Sequence, residues 1–183
     1  MTFRLRDADP TTRLFLTAFI AVLTAGYAVG LLFVDHTTSI RPEGIAEQFL
    51  GSPPEAAEIR YEKSPNEMFV FLHNHLVGFS LIFFALGAVF LFSSTVSPGV
   101  KRFLLVEPMV AIVTTFGGIV LVRFVSPHFS WLVLLSGISL VGCYAVTAVL
   151  ILRELWFPPS GDKRLQLQPE KDILTENEEQ GGA

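Results

Sequence analysis

Four predominantly apolar stretches, Leu14 to Val34, Met68 to Phe92, Phe103 to Val125 and Trp131 to Trp156, constrain this chain more than any other feature. Crossing a hydrocarbon core of about 30 Å takes roughly 20 residues of helix, because each backbone polar group must be satisfied within the segment. All four stretches reach that length. The predicted fold is therefore all-α, a four-helix transmembrane bundle. A mean hydropathy of +0.53 agrees and argues against a soluble enzyme.

The first stretch follows Arg4, Arg6 and Arg13, as a signal peptide would. It exceeds the usual apolar region of about 7 to 15 residues, and Ala25 to Ala28 make a poor cleavage site, so an uncleaved anchor is expected. Lys and Arg set orientation. One side carries Arg4, Arg6, Arg13, Lys101, Arg102, Arg153, Lys163, Arg164 and Lys171, against Arg41, Arg60, Lys63 and Arg123 on the other. Both termini are thus expected in the cytoplasm of an inner (plasma) membrane, with the 35–67 loop outside. Within that loop Pro42 to Gly51 predicts a short helix, with Ile45 and Phe49 on one face. Residues 158–183 read as an acidic, disordered tail beyond a 1–157 membrane domain.

A net charge of −4 with no sustained basic run removes the basis for nucleic-acid binding. One cysteine, Cys143, excludes an intrachain disulfide and any Cys-based metal spacing. No nucleotide loop, catalytic triad or HExxH motif is present. Helix contacts are expected at small residues: Gly26 and Gly30, Ser80 with Gly87 and Ala88, Gly117 and Gly118, and Ser136, Gly137, Ser139 and Gly142.

All four histidines fall near one membrane surface: His36 after the first span, His73 and His75 opening the second, and His128 before the fourth. Asp35, Glu67 and Arg123 approach the same surface. Ionisable groups at span edges are costly and point to function. Two positions apart on a helix means about 200°, so one of His73 and His75 faces the bundle; small neighbours favour His73, and Gly78 leaves His75 open. Imidazole ligates haem b, copper or zinc, and the candidate ligands are His73, His75, His128 and His36, with Glu67 as a further metal ligand. Arg123 would snorkel, neutralise Glu67 or Asp35, or hold an anionic group. Glu107, beside Pro108, is expected to pair with Lys101 or Arg102, a proton path being the lesser reading.

Gly44-Ile45, Glu47, Gly51, Glu67 and the His73-x-His75 pair together resemble a group of small four-span bacterial inner-membrane proteins of uncharacterised function, over most of the chain up to Trp156. That resemblance implies the topology but no activity. A looser likeness is to four-helix b-type cytochromes that exchange electrons with quinones. Two functions are expected from these readings. The first is a non-hydrolytic carrier with a histidine-centred haem or metal site near the periplasmic face, acting in respiratory electron transfer. The alternative is a cofactor-free accessory or scaffolding subunit of a larger membrane complex, possible self-association included. A small transporter is a third class, with little support because the span interiors hold almost no ionisable groups.

Overall fold

The computed structural model describes residues 4–56 and 59–157, so the acidic tail lies outside the described residues. Its helices are α1 (Pro10–Thr38), α2 (Pro42–Leu50), α3 (Pro65–Phe90), α4 (Pro98–Phe124) and α5 (Ser130–Trp156). Short 3-10 turns at Leu5–Asp7 and Pro127–Phe129 precede α1 and α5. Among the described residues α1, α3, α4 and α5 are long and apolar enough to span a bilayer, the last together with its preceding turn. The predicted cap helix is α2.

Each long helix begins where the sequence supplies a stop to whatever came before. Pro stands at the start of α1, α2, α3 and α4, where its missing N–H costs nothing. Asp9 caps α1 by accepting from the amides of Thr11 and Thr12. Hydrogen bonds led by the Thr12 hydroxyl hold the Asp9 carboxyl below its usual range. Ser64 and Glu67 form a reciprocal capping box at α3. The α4 helix starts five residues earlier than the apolar run, because Ser97 caps it and Pro98 opens it.

The α4–α5 hairpin holds the core. Leu104, Pro108, Ala111, Thr115, Gly118 and Val122 are buried along α4 at alternating spacings of four and three. On α5 Val133, Leu140, Thr147 and Glu154 recur every seventh residue. Both patterns are those of a heptad seam, in which side chains of one helix enter holes on the other. Gly118 permits the closest approach: a Cβ there would lie 2.9 Å from Val133 Cγ2. Helix α3 packs on α4, where Gly87 meets Leu105. Helix α1 is peripheral, and only Ile20 and Thr38 of its 29 residues are buried.

Beyond the ends of α1 and α3, residues 39–56 and 59–64 fold back as a cap. Ser39 and Ile40 both adopt left-handed backbone, at φ 51° and 49°. That conformation is strained for a β-branched residue and persists only where the surroundings hold it. Here Gly44 supplies the hold, since its missing Cβ lets α2 lie directly against the Thr38 carbonyl. Gly51, at φ 91°, turns the chain back so that Ser52 N bonds Arg60 O and Lys63 N bonds Phe49 O. Arg60 ties the cap to α1 and α2 by donating to the Thr37 carbonyl and to Gln48 Oε1.

Candidate functional site

His36 lies near the end of α1, His73 and His75 in the first half of α3, and His128 in the turn before α5. His36, His73 and His128 are exposed, and His75 alone is half-buried. Of the pair that the sequence left open, His75 is therefore the more buried member. The reason is aromatic: rings of Phe71, Phe79 and Phe116 surround His75 at centroid distances of 4.0, 6.3 and 5.5 Å. Phe71 and Phe79 stand one helical turn to either side of it, and their combined surface outweighs the small residues on the His73 face.

His75 Nδ1 lies 2.8 Å from the Phe71 carbonyl oxygen, an acceptor, so Nδ1 carries the proton. In the neutral imidazole Nε2 is then the lone-pair nitrogen. His128 Nδ1 instead meets Ser126 Oγ at 3.0 Å in the turn before α5. Its ring lines a shallow cleft of about 330 Å³ with Glu43 and Glu47 of α2 and Trp131.

Glu67 does not join the histidines. Its carboxylate accepts from the Ser64 amide and hydroxyl and pairs with Lys63 at 3.6 Å. Among the described residues no three His, Cys, Asp or Glu side chains are grouped to hold a metal ion. The proposed set of His73, His75 and Glu67 is therefore dispersed in this conformation.

Arg123 is a tether. Its Nε donates to the Lys63 carbonyl at 2.7 Å, a second nitrogen pairs with Glu62, and its guanidinium lies 4.9 Å from the Phe124 ring centroid. Glu62 thus takes the role expected of Glu67 or Asp35, because the returning loop passes over the end of α4. Arg123→Ala is expected to free that strand without unfolding the bundle. Amide exchange at residues 59–63 should rise roughly twentyfold or more, the yield of one ion pair plus one charged hydrogen bond, with the α4 and α5 amides unchanged.

Three polar arrangements lie elsewhere, along α5. Tyr144 stacks on Tyr27 with centroids 4.3 Å apart and hydrogen-bonds Thr24 at 2.9 Å, which fastens α1. Glu107 meets Ser139 and Cys143 rather than Lys101 or Arg102. Lys101 is occupied by the Leu91 and Ser93 carbonyls at the end of α3. Glu154, 1% exposed, accepts from the hydroxyls of Ser93, Ser94 and Thr95 and from the Ser94 amide. The Ser93-Ser94-Thr95 run, facing a carboxylate on the heptad seam, was the available signal for this last contact.

The small residues also divide. Gly87 and Gly118 are contact points, whereas a Cβ at Gly26, Gly30, Gly117, Gly137 or Gly142 would meet nothing within 4 Å. Gly26 and Gly30 lie on a stripe of α1 with exposed Val22, Val29 and Phe33.

Residues 39–163 match a family model described as a transmembrane helical domain. The matched segment includes α2, α3, α4 and α5 and leaves α1 outside it. No match was found among curated proteins or solved structures.

Proposed function

The chain belongs to the Aq_1264_TM family of transmembrane helical domains, and we propose that it serves as an accessory subunit that packs against a partner's transmembrane helix through the outward face of α1. The observation that carries this reading is the open Gly26 and Gly30 pair. Each glycine costs a helix about 1 kcal/mol relative to alanine. Glycines four apart repay that cost in a bilayer when they let a second backbone approach, and no helix among the described residues meets a Cβ placed at either one. Val22, Val29 and Phe33 border the same face as knobs for a partner. The Lys and Arg distribution supports placing the α2 cap outside the cell membrane and both termini inside.

Leucine at both glycines tests the reading. The double variant Gly26→Leu, Gly30→Leu is expected to be at least as stable as wild type, since a Cβ at either position meets nothing within 4 Å and leucine removes the helix cost of glycine. Its association in the membrane should weaken roughly tenfold or more. Unchanged association, read by crosslinking of native membranes, would count against it.

A second reading has a specific observation in its favour. His75, with Nδ1 held by a main-chain carbonyl, presents Nε2 in the tautomer that ligates haem or a transition metal. On that reading the protein carries electrons within a respiratory chain, as a single-histidine centre. A reducible Soret spectrum in purified wild type, lost in His75→Ala and kept in His73→Ala, is its signature. The phenyl rings that now fill the space around His75 weigh for the accessory role.

A further inference from the structure

Glu107 lies nine residues, about 14 Å, along α4 from Pro98. One carboxyl oxygen hydrogen-bonds Ser139 Oγ, and the other accepts from Cys143 Sγ at 2.9 Å. Both partners belong to the middle of α5, so the group sits within the span of the α4–α5 seam. No ion pair among the described residues reaches it. Lys101 and Arg102 stand at the start of α4, with Lys101 bound to carbonyls. On α5 the titratable group against Glu107 is Cys143, while Arg153 and Glu154 occupy the end of the helix. Helix α3 meets this level through Gly87 and Leu105, and its histidines lie towards the α2 cap.

An unpaired carboxylate is expensive in hydrocarbon. Ser139 and Cys143 both donate, to separate oxygens, which serves the carboxylate. A hydroxyl also has lone pairs to accept a carboxyl O–H when it rotates, so Ser139 can serve the protonated form while Cys143 still donates to the carbonyl oxygen. Pro108, buried next to Glu107, has no N–H to give the Leu104 carbonyl, which opens the helix ladder at this turn.

We propose that Glu107 is a proton-exchange site inside the bilayer, holding H⁺ as a carboxylic acid between Ser139 and Cys143 and releasing it to leave a carboxylate. The site is independent of the α1 face and survives failure of the accessory reading.

The experiment uses the full chain in liposomes treated with dicyclohexylcarbodiimide. This apolar reagent takes the carboxyl proton on nitrogen and the carboxyl oxygen on carbon, then rearranges to a stable N-acylurea. It therefore reports carboxyls that carry a proton in the lipid phase. Peptide mass spectrometry is expected to place an adduct on Glu107, with a yield that falls as pH is raised and with none in Glu107→Gln. A Glu107 left unmodified throughout, or modified to the same extent at every pH, would overturn the proposal.

Discussion

Gly44→Ala is expected to detach the cap from α1 and to lower stability by about 3 kcal/mol or more, the upper range for an overpacked contact. The added Cβ falls on the Thr38 carbonyl, which is main chain and cannot rotate away. Relief requires α2 to lift, which releases the left-handed Ser39 and Ile40 and uncovers Ile45 and Phe49. Thermal unfolding in detergent measures the loss, and hydrogen exchange across residues 39–63 should locate it. Gly99→Ala is the control: nothing lies within 4 Å of a Cβ there, so a change within about 0.5 kcal/mol is expected. Equal behaviour of the two variants would show that the close approach of α2 to α1 does not hold the cap.

Glu154→Ala is expected to cost a similar amount, about 3 kcal/mol or more, for the opposite reason. Its removal strands donors from Ser93, Ser94 and Thr95 that are turned towards one buried carboxylate. A carboxylate in the last turn of a helix is unfavourable to the helix dipole, so this glutamate is held by its donors and not by its own helix. Glu154→Gln keeps one acceptor oxygen and should lose less than the alanine variant. The readout is unfolding temperature together with exchange at residues 93–97. Alanine and glutamine variants both at wild-type stability would show that the α3–α4 turn docks without this carboxylate.

The spans were legible because length and apolarity are properties of a segment by itself. The cap helix was legible too, since Pro42, the Ile45 and Phe49 spacing and Gly51 act within a few residues of one another. Contacts between distant segments were not. Depth along a span can be counted at 1.5 Å per residue, and from it the sequence predicts the histidines near one surface. Their direction around each helix depends on neighbours from other helices, such as Phe116 against His75. Glu62 in place of Glu67 beside Arg123 is the same lesson, because the path of the returning loop decides the partner. Glu107 paired across the seam and not along its own helix, and Glu154 drew on residues about 60 positions away. Small residues marked close approach at Gly87 and Gly118, yet the same signal at Gly26 and Gly30 points away from the bundle.

Photo-crosslinking in native membranes tests the accessory role most directly. A photoreactive residue placed at Val29, on the glycine face of α1, is compared with one at Leu81, exposed on α3. The account predicts one discrete protein adduct from position 29 that disappears when Gly26 and Gly30 are both leucine, and lipid adducts alone from position 81. Lipid adducts alone from both positions, or a protein adduct indifferent to the leucines, would contradict it.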